Sequence, residues 1–389
     1  MLSTVMRTRR LLAAAASAAL AATLTSCGSG HRQPPGVITV SNGQCGSTWQ
    51  LAGPAWHTFE ISNQGTDGAE VDLIDPANGA VYAEIDNSGP GTVTPMTLDV
   101  GSGKYAFLCL FADTSPHQGA TVTVGGHVAG TQAVLPVTYN DLVPLAKEYH
   151  AETEAGLKAL APETAALAAA VRSGSLAQAR RDWLTAHLQY ETLGDAYDAF
   201  GTFDTEIDGR ADALGVGNPG WTGFYRLEYG LWHGQPLKSL VPVASTLNHD
   251  ADELVAWWQT QQVPLIDLGR RAHEVLENAL QFQLTGHDDY GSGTTLATTV
   301  ANIQATRALL ALLHPLLASR YPALPEVYSG LAQLQSLLLP ERLANGWWVP
   351  ASKLSVPPRQ AIDASCGQLL QELAPIASIT EPRNTAHGF

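Results

Sequence analysis

The chain has 389 residues, 45% hydrophobic and 15% charged, with 21 Lys and Arg against 36 Asp and Glu for a formal net charge of −15. That much apolar material excludes an intrinsically disordered chain, and the length suits two or three folded units rather than one core. So acidic a chain repels polyanions, which argues against nucleic-acid binding and leaves metal ions or cationic partners as the better fit.

Residues 1–26 contain Arg7, Arg9 and Arg10, no acid, and an apolar run over 11–24. A basic start, a short apolar stretch and small residues beyond it predict a secretory signal peptide rather than a bilayer span. Leu24-Thr25-Ser26-Cys27 resembles a bacterial lipobox. That implies cleavage before Cys27, acylation of its thiol (palmitate) and an extracytoplasmic lipoprotein held to the cell membrane by its N-terminal lipid; an ordinary signal would be cut near Ala22. Loss of the three arginines takes the net charge from −15 to −18, so the anchor is the lipid and not a basic patch. No later stretch approaches about 18 consecutive apolar residues, so no membrane span is expected after residue 27. Any transport role then means delivery to a separate permease.

Residues 36–126 are rich in Val, Thr, Gly, Asn and Asp, with runs such as Val37-Ile38-Thr39-Val40, Thr58-Phe59-Glu60-Ile61, Val71-Asp72-Leu73-Ile74 and Thr121-Val122-Thr123-Val124. Turn signals at Asn78-Gly79, Ser88-Gly89-Pro90-Gly91 and Gly101-Ser102-Gly103 separate them at a spacing suited to a small all-β sandwich. Residues 127–136 read as a linker. Residues 137–380 change period: Ala/Leu-rich stretches at 138–172, 175–199, 246–284, 293–320 and 356–376 predict a helical bundle. Pro144, Pro162, Pro264 and Pro315 are expected to start, kink or interrupt helices, splitting 246–284 near Pro264. Residues 200–222 and 340–357 read as loops. The acidic string His249-Asp250-Ala251-Asp252-Glu253 reads as a helix start with its capping residue and acidic first turn.

The chemistry lies in polar residues at helical spacing inside the apolar half. His187 and Glu191 are four apart, as are His273 and Glu277. That spacing puts two side chains on one helix face, where they can chelate a metal or simply pair in solvent. Between the two pairs come Phe200-Gly201-Thr202-Phe203-Asp204-Thr205-Glu206-Ile207-Asp208-Gly209-Arg210 and Trp221-Thr222-Gly223-Phe224-Tyr225-Arg226-Leu227-Glu228-Tyr229. Hydrolytic readings are weak, because the chain holds no Gly-x-Ser-x-Gly, no His-Glu-x-x-His and no phosphate loop.

These segments resemble the EfeO-type iron-uptake lipoproteins of the imelysin-like group, whose helical domain carries Phe-Gly-x-x-Asp, Ile-Asp-x-Arg and Thr-Gly-Phe-His-Arg-hydrophobic-Glu. Phe200, Gly201, Asp204, Ile207, Asp208, Arg210, Thr222, Gly223, Phe224, Arg226, Leu227 and Glu228 match, and 268–277 and 288–293 also look like family segments. The resemblance implies a cupredoxin-like sandwich ahead of an imelysin-like bundle, and a binding protein rather than an enzyme. It implies ferric or ferrous iron as cargo, held by Glu228, Glu191 and Asp204 with Asp208, Tyr225, His187, His273 and Glu277 around them. It also implies a membrane iron permease and a dye-decolourising-type haem peroxidase as partners. One position departs: Tyr225 stands where the family has His, so the phenol is a hard ligand favouring ferric iron, a packing residue beside a working site, or the mark of a lost one. In the sandwich, Glu70 and Glu84 resemble the family's proposed site acids. Cys45 and Cys109 either form a disulfide or serve as thiolate ligands for copper or zinc, and Cys366 is left over on a late helix. No His close after Cys109 supports a blue-copper centre. The competing reading is a surface lipoprotein without metal transport that binds a polysaccharide or a partner, a sugar being held in an aromatic cleft of Trp183, Trp221, Tyr225, Tyr229 and Trp232.

Overall fold

In the computed structural model, residues 36–112, 114–211 and 215–383 are described; the predicted signal segment and Cys27 lie outside them. The first half builds nine strands: β1 (Gly36–Ser41), β2 (Gln44–Cys45), β3 (Ala55–Asn63), β4 (Ala69–Ile74), β5 (Val81–Ser88), β6 (Val93–Val100), β7 (Gly103–Phe111), β8 (His117–Gln118) and β9 (Val122–Val124). They form two sheets, β2-β1-β3-β6 and β5-β4-β7-β8, with β9 added on β7. Period-two alternation drives the packing: Ile38, Phe59, Ile61, Val71, Leu73 and Phe107 are buried between the sheets. Trp49, Phe59 and Phe107 meet edge to face at 4.8–5.8 Å between centroids.

A Cys45–Cys109 disulfide ties β2 to β7. It overturns the thiolate alternative, because a disulfide offers no thiolate, and with it the support for copper or zinc in the sandwich. Closing a loop over a separation of 64 residues stabilises the fold by about 4 kcal/mol on the chain-entropy argument.

The second half holds α1 (Tyr139–Arg172), α2 (Leu176–Glu191), α3 (Thr202–Asp208), α4 (Gly223–Trp232), α5 (Leu237–Trp258), α6 (Asp267–Asn278), α7 (Thr295–Leu317), α8 (Leu324–Leu338) and α9 (Val356–Ile379). Thr138 starts α1 with a capping box, its hydroxyl accepting from the Asp141 N–H and Asp141 accepting from the Thr138 N–H. The prolines behave differently from expectation. Pro144 and Pro162 lie inside an unbroken α1 and Pro315 inside α7, while only Pro264 falls between helices. Pro144, Pro162 and Pro315 are exposed, so water can serve the carbonyl each one frees.

Three further expectations change. Residues 249–253 lie in mid-α5, which begins a dozen residues earlier at Leu237, so His249 and Glu253 are an exposed pair one turn apart at 3.2 Å and not a helix start. The 175–199 stretch ends as α-helix at Glu191 and continues as a 3-10 turn over Gly194–Ala199. And one later helix, Thr295–Leu317, is long and apolar enough to cross a membrane, with 72% of its apolar window buried inside the protein. That burial identifies α7 as the central core helix, packed by α1, α2, α6 and α8.

Candidate metal centre

The centre forms where α2, the end of α3 and α4 meet. Trp183 on α2 donates its indole N–H to the Phe224 carbonyl at 2.9 Å, pinning α2 to α4. Trp221 donates to the Gly209 carbonyl at 2.8 Å, holding the chain just past α3 against the start of α4. Gly223 opens α4 at φ +85°, a conformation that L side chains avoid, and a Cβ there would run into the carbonyl of Ile207. This close approach brings Asp208 and Glu228 into the same wall.

His187 and Glu191 are 2% and 1% exposed, despite being polar residues on a core helix. His187 Nε2 lies 3.1 Å from Glu191 Oε1 and 3.3 Å from Asp208 Oδ1. Ligand-capable atoms of these three residues all lie within 4.8 Å of one another. Glu191 is oriented by Asn302 of α7, whose amide donates to its Oε2 at 2.8 Å. Glu228, 1% exposed, accepts the Ser292 N–H at 2.8 Å through Oε1, while its Oε2 is buried without a hydrogen bond. Asp288, also buried, accepts from the Gln283 amide at 3.3 Å and the Tyr225 hydroxyl at 3.5 Å, and Arg210 lies 3.7 Å away. Gln283 reaches it from a π-helical turn, Ala279–Gln283, that follows α6; such turns often mark functional sites.

Burial of so many acids shifts their protonation. Burial raises the Glu228 carboxyl to about 8, against the opposing pull of its Ser292 contacts and His187. Asp208 is raised by burial to about 7, its pairing with His187 opposing the rise. Burial alone would lower His187, but hydrogen bonds and charge from Asp208 and Glu191 outweigh it and push the imidazole up to about 10. Tyr225 is raised by burial and by Asp208 and Asp288, so it stands as a neutral phenol donating to Asp288 in the ion-free site. A proton on His187 thus sits where a cation would sit.

Not every residue expected at the site joins this wall. Asp204 instead accepts from the Tyr190 hydroxyl at 3.4 Å. His273 and Glu277 form their own pair on a part-exposed face of α6, at 3.5 Å. Tyr225 does join, its ring 5.4 Å from that of His187. Asp288 and Asn302 carry no ligand or positioning role in the sequence reading. The signal for Asn302 was an amide in the Ala/Leu/Thr-rich run of α7, at a position the helix period buries. Of the aromatic cleft, Trp183, Trp221 and Tyr225 are buried in packing and offer no face for a sugar to stack on, and only Tyr229 and Trp232 are half-buried.

A second group of acids lies at the edge of the sandwich. Glu70 and Glu84 stand with Asp72, whose carboxyl burial raises to about 7.

Residues 145–330 match the family model described as Imelysin. The helical half is therefore an imelysin domain, and the class of protein is imelysin-like. Within that class the chain is similar to EfeO-type proteins. It is 28% identical over 346 residues to the "Iron uptake system component EfeO" of Yersinia pestis, covering 88% of this chain and 90% of that protein. The Escherichia coli (strain K12) protein of the same name is 24% identical over 348 residues, with the same coverage. The relatives are named for iron uptake, not for catalysis.

Proposed function

We propose that this protein binds iron in its helical domain, at His187, Glu191 and Asp208 with Glu228, Asp288 and Tyr225 beside them, as one component of an iron uptake system. It is a binding protein and not an enzyme. The observation that carries this reading is the convergence of one buried imidazole, one buried carboxylate and one half-buried carboxylate on a space small enough for one ion. Carboxylate and imidazole donors suit iron in either oxidation state, and the phenol of Tyr225 adds a hard donor for the ferric ion. The names of the relatives point to the same cargo.

The chain's own groups make capture an exchange. His187 gives up the proton it holds between Glu191 and Asp208, the carboxyl of Glu228 ionises, and the entering ion takes their place. Asn302 keeps Glu191 turned toward the space throughout. The lipid on Cys27 would hold the protein outside the membrane, beside an iron permease that receives the ion, with a haem peroxidase interconverting its oxidation states.

The test is calorimetric titration of the chain lacking residues 1–27 with anaerobic ferrous ion and with ferric citrate, alongside Glu191→Gln and Asp208→Asn. Micromolar or tighter binding, lost in both variants while the fold is kept, is the expected result. Binding that survives both substitutions would place the iron elsewhere.

A further inference from the structure

Glu70, Asp72 and Glu84 share the outer face of the second sheet, where Asp72 pairs with Glu84 across β4 and β5. Their ligand-capable oxygens lie within 4.8 Å of one another. Asp72 is only 4% exposed, and its Oδ1 is buried with no hydrogen-bond partner. The positive charge facing these acids comes from the other end of the chain. Arg383, just past α9, donates from Nη1 to Glu70 Oε1 at 3.4 Å and pairs with Glu84 through the same nitrogen. Its backbone N–H donates to the Val137 carbonyl at 2.8 Å, and Pro382 bridges to Val137, so the C-terminal segment is fastened where the two domains join.

One guanidinium against three carboxylates leaves the group short of positive charge. A half-buried ionic cluster so poorly balanced is a weak device for stability, since like charges repel and Asp72 at its base loses solvation. Its all-oxygen donor set suits a hard multivalent cation, which would bring two or three charges where Arg383 brings one. Room for the guanidinium to leave is at hand: a cavity of about 280 Å³ opens beside it between the domains, lined by Tyr82, Glu84, Val137, Arg320, Glu381 and Arg383.

We propose that Arg383 is a tethered cation occupying the Glu70, Asp72 and Glu84 cluster, and that a hard multivalent metal ion entering the cluster expels it and loosens the C-terminal segment from the domain junction. Cation capture in the sandwich is thereby linked to the fastening of the helical domain. The link does not depend on the iron site at His187, and the test is arranged to keep the two apart.

The test is peptide-resolved hydrogen exchange on the chain lacking residues 1–27, with terbium chloride as the hard trivalent probe and Glu191→Gln present to weaken the helical site. Terbium is expected to slow exchange over 69–86 and to speed it over 377–383. In Arg383→Gln the C-terminal segment should exchange fast without terbium, and the terbium concentration that half-protects 69–86 should fall about tenfold. Arg383→Lys should restore the wild-type response in part. Protection of 69–86 with the C-terminal segment unchanged would overturn the linkage. So would equal terbium affinity in wild type and Arg383→Gln, or no protection of 69–86 in either.

Discussion

At His187 the protein holds a proton between the carboxylates of Glu191 and Asp208, and the pH dependence of the ion-free form follows from that. His187 is raised from 6.5 to about 10 and Glu228 from 4.5 to about 8. The folded state therefore binds more protons than the unfolded chain across these intervals. The stabilising contribution of His187 is full below its unfolded value and is lost as pH rises toward 10. Glu228 costs nothing while protonated, and its cost grows as pH rises from about 4.5 through 8. Thermal melting of the ion-free protein should therefore fall steadily from pH 6 to pH 9, and Glu228→Gln should flatten the slope. Iron binding should release protons, which a titration in buffers of different ionisation enthalpy measures directly. Asn302 acts only through Glu191, so Asn302→Ala should weaken iron binding by about 10–100-fold with little change in melting temperature.

On the scale of elements, the junction of α3 and α4 decides whether Asp208 and Glu228 share a wall. Gly223→Ala forces a side chain against the Ile207 carbonyl at a positive φ, so it should lower iron affinity at least as much as Asn302→Ala while far-UV helicity stays near wild type. Much of this level was legible in the sequence. The run of α1, the run of α7 and the break at Pro264 follow from period and turn chemistry. What period could not show was which helices face one another. His187–Glu191 and His273–Glu277 have the same spacing, yet only the first is buried against a second set of acids. Asp208 holds the cluster rather than Asp204 because it sits at the end of α3, where Gly223 draws the chain in. α8 went unread although Leu324, Val327, Leu331, Leu334 and Leu338 repeat at three and four residues, all of them buried in the structure.

For the whole molecule, the two halves carry separate cores and meet at the segments around Val137 and Arg383. Replacing both Cys45 and Cys109 by Ala should cost the sandwich about 2–5 kcal/mol in denaturant unfolding and leave iron binding at the helical site unchanged. Loss of iron binding in that variant would mean that the sandwich contributes ligands. The family could be read from motifs spread through the helical half, whereas the chemistry of the sandwich could not: the disulfide and the pairing of Arg383 with Glu70 and Glu84 depend on contacts between distant parts of the chain.

The most direct measurement is anomalous diffraction at the iron edge from iron-loaded crystals of the chain lacking residues 1–27. A single strong peak bounded by His187, Glu191 and Asp208, with Glu228 or Tyr225 within reach, is the expected result. A peak confined to the sandwich, or to the His273–Glu277 face of α6, would contradict iron capture at the buried helical centre.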